Sequence, residues 1–199
     1  MPERRNLISL SSRAGNELSE LELLNRIRRG EASGMRLLYD RYIGYLTAVC
    51  SRYVVDSAAV KDVLQDAFVK VFSKLDGFEY RGEGSLKAWM SRIVVNDSLK
   101  SLRSAGRLKY VDELPDAEED GDIDGAPDVP VCELAEMIKS LPDGYRTVFN
   151  LFVFEKKSHK EIAGMLGIKE DSSASQFFRA RAMLAKKIKD YWKKQGDEQ

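Results

Sequence analysis

Apolar residues recur along this chain at the three- and four-residue spacing of helices, and we find no run of the alternation that is typical of strands. A short helix is predicted from Leu18 to Gly30, a residue that suits a helix C-cap. Longer helices are predicted over about 31–53, 57–75 and 85–104. The pattern therefore predicts an all-helical first domain.

The apolar pattern stops after residue 104 and returns near Val131. From Asp112 to Asp128 there are nine acidic residues and no basic ones, so this stretch is expected to be extended by self-repulsion. We predict an all-α fold class with two small helical domains, joined by an acidic flexible linker. The predicted division is a disordered N-terminal extension at 1–17, a first domain at 18–104, the linker at 105–130 and a second domain at 131–195.

The second domain contains a helix-turn-helix pattern. Ile162, Ala163 and Leu166 give its first helix an apolar face, and Gly167 lies where that helix must end. The second helix has an apolar side and a polar side. The predicted inward residues are Ser173, Phe177, Ala180, Leu184 and Ile188, and the predicted outward residues are Ser172, Ser175, Gln176, Arg179 and Lys186.

Short hydrogen-bonding side chains near the start of a helix are typical of a recognition helix that enters the major groove of DNA. The surrounding stretch is basic, with eleven Lys or Arg against four Asp or Glu from Lys156 to Lys194. Such an excess of positive charge favours phosphate contact. An ordinary amphipathic surface helix would also have a polar face, and we favour the DNA interpretation over it.

The helix predicted over 57–75 has a second stripe beside its apolar one. It consists of two carboxylates, an amide and an apolar residue, namely Asp62, Gln65, Asp66 and Val69. This composition suits a protein-binding face with a basic partner. Taken alone, a solvated face explains the stripe equally well.

The fourth helix follows a glycine-rich loop, Tyr80–Leu86, and places Trp89, Arg92 and Asn96 within one narrow arc. An aromatic ring, a guanidinium and an amide beside such a loop can hold an unstacked base. The alternative is a core tryptophan beside a solvated arginine, and for Trp89 we favour that alternative on these residues alone.

The composition and the motifs of the chain argue against several classes of protein: membrane-spanning, secreted, metal-binding and enzymatic. The formal net charge is zero, and no apolar run approaches the length of a membrane span. The basic N-terminus lacks the apolar core of a signal peptide, so Cys50 and Cys132 are expected to be reduced. These cysteines and the lone His159 do not make a metal site, and no catalytic triad or phosphate-binding loop is present. We expect a protein that is not an enzyme and has no cofactor or metal.

Seven segments agree in order and spacing with one known family. They are 38–42, 62–72, 78–89, 92–96, 141–149, 158–163 and 179–181. Over about residues 20–195 the chain resembles an extracytoplasmic-function (ECF) sigma factor of bacterial RNA polymerase. Ser173 and the pair Ser175-Gln176 resemble the versions common in Bacteroidetes.

This resemblance implies a role for each surface. It implies that Asp62, Gln65, Asp66 and Val69 dock on the β′ clamp helices of the polymerase core. The loop residues that it implies for capture of a flipped minus-ten base are Tyr80, Arg81, Gly82, Glu83 and Ser85, with Trp89, Arg92 and Asn96 lining the same site. It implies that the helix-turn-helix reads the minus-thirty-five element as duplex, through Lys160, Ser172, Ser175, Gln176 and Arg179.

The implied partners are the RNA polymerase core, through the β′ clamp helices and the β flap, promoter DNA, and an anti-sigma factor that is often membrane-bound. No small-molecule substrate is implied, and the expected location is cytoplasmic. Two departures from the family are expected to weaken or alter minus-thirty-five binding. Ser173 replaces an apolar anchor, which predicts looser packing under the recognition helix, and Ala174 replaces a lysine. The alternative function is a free-standing helix-turn-helix regulator that binds operator DNA as a dimer, although we find no heptad seam for dimerisation.

Overall fold

A computed structural model describes residues 18–108 and 129–197 of the chain. The predicted extension at 1–17 and most of the predicted linker at 105–130 lie outside the described residues. The described residues form helices and connecting turns, as the all-α prediction requires. The helices are α1 (Glu20–Arg28), α2 (Ala32–Ser51), α3 (Ser57–Lys74), α4 (Ser85–Ser104), α5 (Val131–Lys139), α6 (Asp143–Val153), α7 (His159–Leu166) and α8 (Glu170–Asp197), with a 3₁₀ turn at Leu75–Gly77.

Side chains of Ser and Asp define three of the helix starts. Ser19 and Glu22 form a reciprocal capping box at α1, and Ser158 and Glu161 form another at α7. At α3 the Asp56 carboxylate accepts a 2.8 Å hydrogen bond from the Ala59 amide. Each cap satisfies backbone donors that have no partner within the helix, which fixes where the helix begins.

Helices α1 to α4 form an N-terminal unit in which α2, α3 and α4 pack against one another and α1 packs on α2. The apolar stripe predicted on α3 is buried, from Val60 through Val71. Tyr45 on α2 lies outside this core and is 37% exposed. Its ring lies instead beside Lys87, whose Nζ is 4.0 Å from the ring centroid.

Helices α5 to α8 form a C-terminal unit around the long helix α8, which contacts α5, α6 and α7. Ile138, Leu141, Ala180 and Leu184 make a small core between α5 and α8. Gly167 ends α7 with a φ of 72°, a left-handed conformation that glycine adopts without strain, as the helix-turn-helix pattern predicts.

The two units are packed together. Val148, Leu151, Ile162 and Leu166 of the C-terminal unit belong to the same continuous buried core as the N-terminal unit. Two buried side chains of α6 complete the contact by donating to backbone carbonyls at the end of α2. Arg146 Nη2 donates to the Tyr53 carbonyl at 2.9 Å, and Asn150 Nδ2 donates to the Arg52 carbonyl at 2.7 Å.

Candidate functional site

The acidic stripe of α3 lies on the surface of the N-terminal unit. Asp62, Gln65 and Asp66 are exposed, and Val69 is 64% exposed although it is apolar. The opposite side of the helix is buried. The structure therefore places all four predicted residues together on one open face, with an apolar side chain beside two carboxylates.

An apolar groove of about 750 Å³ runs beside this face, between α2 and α3. Gln65 and Val69 form part of its wall, together with Phe68 and Phe72. Residues of α2, including Tyr39 and Ile43, form the other wall. The sequence prediction did not include the α2 wall, although Tyr39 and Ile43 are spaced one helical turn apart.

A second pocket, of about 410 Å³, lies where the 3₁₀ turn, the glycine-rich loop and α4 meet. It brings together Arg81, Ser85, Trp89 and Arg92, four of the residues predicted to surround a captured base. Trp89 is half-buried, and its ring packs on Phe78 with 5.0 Å between ring centroids. One face of the pocket is therefore aromatic, and two guanidinium groups flank it.

The other four predicted minus-ten residues do not line this pocket. Asn96 is exposed on α4, one turn beyond Arg92. Glu83 faces the opposite way and accepts a 3.1 Å hydrogen bond from the backbone amide of Glu20. Tyr80 and Gly82 are half-buried in the loop, and the Tyr80 hydroxyl lies 3.5 Å from Glu83. Partial desolvation and the nearby Glu83 carboxylate raise the pKa of the Tyr80 phenol above its ordinary value.

The loop has a defined backbone conformation. Gly82 and Gly84 have φ values of 111° and 88°, a region that other residues rarely adopt. The Arg81 amide donates to Ser85 Oγ at 3.2 Å, and the Ser85 amide donates to the Gly82 carbonyl at 3.1 Å. These bonds fold the loop back on the start of α4 and direct Arg81 and Ser85 to the same pocket.

Helix α8, the predicted recognition helix, presents a narrower polar face than the sequence indicated. Lys160 of α7 and Ser175 are exposed, while Ser172 and Arg179 are half-buried. Gln176, expected on the exposed face, is instead buried at 4% exposure. The reason is its position three residues after Ser173 and four before Ala180, since both of those residues are fully buried and share its side of the helix.

The start of the recognition helix is tied to α7 by a polar contact. Ser173 Oγ lies 3.0 Å from His159 Nδ1, and the His159 ring stacks on Phe152 with 4.8 Å between centroids. The looser packing expected at Ser173 is therefore replaced by a hydrogen bond. Sequence patterns missed this pair because the two residues lie fourteen positions apart on different helices.

A third pocket, of about 290 Å³, lies between the two units. Ala88, Ser91 and Arg92 of α4 line one side, and Leu151 and Glu155 line the other. Arg92 thus borders both the predicted base pocket and the cleft between units. None of the described helices combines the length and the apolar composition of a membrane span. The described residues also contain no group of three or more His, Cys, Asp or Glu side chains that could hold a metal ion.

Comparison with known proteins matches two parts of the chain to family models. The model for sigma-70 region 2 matches residues 38–108, and the model for sigma-70 region 4 matches residues 133–184. Together the matches cover more than half of the chain. Region 2 contains the acidic face and the pocket lined by Arg81, Ser85, Trp89 and Arg92, and region 4 contains the helix-turn-helix.

Curated relatives include the ECF RNA polymerase sigma-E factors of Escherichia coli (strain K12) and Haemophilus influenzae. Each is 28% identical to this chain over 185 residues, and the match covers 86% of this chain. It covers 95% of the first relative and 96% of the second.

Solved structures with similar chains include CnrH in complex with the cytosolic domain of CnrY, at 24% identity and a TM-score of 0.46, covering 84% of this chain and 96% of that one. They also include the sigma factor RpoE in complex with the anti-sigma factor NepR from Bartonella quintana, at 20% identity and a TM-score of 0.47, covering 79% and 98%. With its two sigma-70 regions in order and its sigma-E relatives matched along nearly their whole length, the chain belongs to the ECF sigma factors.

Proposed function

We propose that this sigma factor binds the RNA polymerase core and directs promoter-specific initiation by melting the minus-ten element and reading the minus-thirty-five element. The observation that carries the proposal is the pocket formed by Arg81, Ser85, Trp89 and Arg92. A pocket with one aromatic wall and flanking guanidinium groups suits a single unstacked base and its adjacent phosphates.

The exposed face of Asp62, Gln65, Asp66 and Val69 is the proposed docking surface for the β′ clamp helices. Its two carboxylates suit a basic partner, and exposed Val69 with the adjoining apolar groove supplies surface that gains from burial. The face and the base pocket lie on the same compact unit, so docking would hold the pocket at a fixed place relative to the polymerase.

The helix-turn-helix is the proposed reader of duplex DNA at minus thirty-five. Lys160 and Ser175 are exposed at the start of the two helices, where recognition helices contact phosphates and base edges. Arg179 lies one turn further along α8. We retain Arg179 as a base-contact candidate, whereas Gln176 would have to leave its buried position to reach a base.

An anti-sigma factor is the proposed regulatory partner, and the β flap is the proposed contact of region 4 on the polymerase. Of the solved structures named above, one holds CnrH with the cytosolic domain of CnrY, and the other holds the sigma factor RpoE with the anti-sigma factor NepR. In this chain the open face of α3 offers an apolar surface that a regulator and the polymerase could occupy in turn.

Run-off transcription with purified core polymerase tests the proposal. We expect promoter-specific transcripts that require this chain and that disappear when the minus-ten element of the template is scrambled. The control is a template whose spacer sequence alone is scrambled, which should be transcribed normally. Specific binding of the chain to DNA without polymerase, combined with no transcription, would instead support the free-standing regulator.

A further inference from the structure

Glu20 is a buried carboxylate that does not line the base pocket. Its hydrogen bonds reach residues next to those that do line it. It is the first residue of α1, is 1% exposed and lies outside the residues matched to region 2. A buried carboxylate carries a large desolvation cost unless hydrogen bonds satisfy it. The partners of Glu20 therefore indicate what it is for.

Both oxygens of Glu20 are occupied by the start of α4. Oε2 accepts from the Leu86 amide at 3.0 Å, and Oε1 accepts from the Lys87 amide at 3.1 Å and from the Tyr42 hydroxyl at 2.8 Å. The N-cap residue of α4 is Gly84, which has no side chain to supply a cap. Glu20 replaces the missing cap from 66 residues away in sequence.

The loop before α4 also forms a hydrogen bond with the start of α1. The backbone amide of Glu20 is one of the unpaired donors at the start of α1, and it donates to Glu83 Oε2 at 3.1 Å. Two helix starts thus cap each other, since the α1 carboxylate binds α4 amides and the loop carboxylate binds an α1 amide. This is the reciprocal arrangement of a capping box, built between distant parts of the chain.

The other end of the loop is also held by α1. Arg28 Nη2 donates to the carbonyl of Phe78 at 2.7 Å, and Phe78 packs on Trp89. Phe78 and Glu83, near the two ends of the loop, are therefore both bonded to α1. Of the pocket residues, Arg81 lies between these two positions, and Ser85 lies between Glu83 and Leu86, which is also bonded to α1.

We propose that Glu20 is a positioning residue for base capture, which holds the loop and the first turn of α4 in the geometry that forms the pocket. This inference rests on the proposed function, since it assigns Glu20 a role in minus-ten binding. It adds α1, which precedes the residues matched to region 2, to the part of the chain that acts in minus-ten binding. It also assigns Glu83 a contact within the protein in place of a contact with DNA.

The first test uses hydrogen exchange measured by NMR on the free chain, comparing wild type with Glu20→Gln. A glutamine has one acceptor oxygen, so its amide nitrogen would face one of the two backbone donors. We expect the Leu86 and Lys87 amides to exchange about ten-fold faster, as the loss of one charge-assisted hydrogen bond implies. Amides in the middle of α3 should keep their rates.

Glu22→Gln is the matched control. It removes the same charge two residues away on the same helix, at an exposed position where Gln still supports a capping box. Tyr42→Phe is the second control, because it removes one bond to Glu20 and leaves both amide bonds in place. Neither control should speed exchange at Leu86 and Lys87.

The second test measures binding of polymerase holoenzyme to a single-stranded minus-ten oligonucleotide, with core affinity measured in parallel. Glu20→Gln should weaken oligonucleotide binding about ten-fold and leave core affinity unchanged. A purely structural role would lower both together, and that result would overturn the proposal. Unchanged exchange and unchanged oligonucleotide binding would also overturn it.

If Glu20→Gln does not fold, the reciprocal variant Glu83→Gln decides the question by exchange alone. Faster exchange at the Glu20 amide and at Leu86 and Lys87 would support mutual capping, and unchanged rates at all three would overturn it. A wild-type chain that binds neither core nor oligonucleotide would refute the proposed function. The exchange result would still show whether Glu20 holds the loop.

Discussion

Asp66 is an exposed carboxylate that, on the proposed function, contributes to binding of the polymerase core more than to folding stability. It is exposed on α3, and neither Asp66 nor the nearby Asp62 forms an ion pair with another described residue. Exposed charges contribute little to folding stability, about 0–1 kcal/mol each. They act strongly on binding when a partner desolvates them. A change at Asp66 should therefore separate binding from stability.

Asp66→Lys should reduce affinity for core polymerase by about 2–5 kcal/mol, because a positive charge would then face a basic partner. Stability should change by no more than about 0.5 kcal/mol. Asp76→Lys, on the 3₁₀ turn of the same unit, is the matched control and should bind core normally. The measurements are fluorescence titration with core polymerase and urea unfolding. Normal core affinity in Asp66→Lys would remove α3 from the interface.

Arg179→Ala should alter use of the minus-thirty-five element, with a loss of about 1–3 kcal/mol of discrimination for a lost base contact. Gln176→Ala should have a smaller effect on discrimination, because the Gln176 side chain is buried and does not face the groove. Competition between consensus and mutated promoters, measured with holoenzyme, distinguishes the two. A larger effect for Gln176 would mean that α8 rotates when it binds DNA.

At the scale of elements, helical periodicity predicted where the helices are but not how their faces are oriented in detail. Helix α4 spans the predicted residues, 85–104. Helix α2 begins one residue later and ends two residues earlier than predicted, and α3 ends one residue earlier. Gln176 was assigned to the wrong face because the buried stripe of α8 is wider than the apolar residues alone indicate. Polar residues such as Ser173 and Gln176 lie within it.

The long-range contacts could not be predicted from the sequence, because pairs such as Glu20 with Leu86 leave no periodic signal. The capping box of α7 is the opposite case, since its Ser-x-x-Glu spacing is visible in the sequence.

Hydrogen bonds from Lys157 and from Ser158 lower the pKa of Glu161 to about 2 from an ordinary value of 4.5. Because of this shift in pKa, the stability of the first helix of the helix-turn-helix should decrease at acidic pH.

A carboxylate whose pKa is lowered by folding stabilises the folded state above its unfolded pKa and loses that effect as pH falls. The contribution of Glu161 should therefore be complete above about pH 4.5 and fade as pH approaches 2. Glu161→Gln, which can still form the capping box, should lack this component. Lys157→Gln removes the largest cause and should move the loss to higher pH. Thermal unfolding between pH 2 and pH 6 measures both, and parallel curves for wild type and Glu161→Gln would contradict the assignment.

At the scale of the whole molecule, the contact between α6 and the end of α2 is the feature that sequence analysis left undetermined. Asn150 is fully buried, and its amide group donates to a carbonyl that α2 cannot satisfy internally. Arg52 adds two weaker contacts at the edge, a 4.0 Å approach to Glu155 and a position 4.4 Å from the centroid of the Phe154 ring. Two polar anchors thus accompany the shared apolar core.

Asn150→Ala should destabilise the free protein by about 1–3 kcal/mol, because the part-buried Arg52 carbonyl would lose its donor. Asn96→Ala, at an exposed position on α4, is the control and should change stability by less than about 0.5 kcal/mol. Urea unfolding of both variants provides the measurement. Equal stability in Asn150→Ala and wild type would indicate that the two units do not pack this way in solution.

The packed units have a consequence for the length of a promoter. On the proposed function, region 2 and region 4 contact elements about 25 base pairs apart, which is about 85 Å of duplex at 3.4 Å per pair. Units that touch through Asn150 and Arg52 cannot reach both elements at once. The units would therefore have to separate, and the twenty residues 109–128 have a maximum extended length of about 70 Å.

If only molecules with separated units bind polymerase productively, the apparent affinity equals the affinity of the separated form multiplied by the fraction of molecules in which α6 has detached from α2. On the proposed function, substitutions at Arg146 or Asn150 would change transcript output by changing this fraction. Natural variation at these two positions would thus tune how readily one sigma factor competes with others for a limited pool of core polymerase.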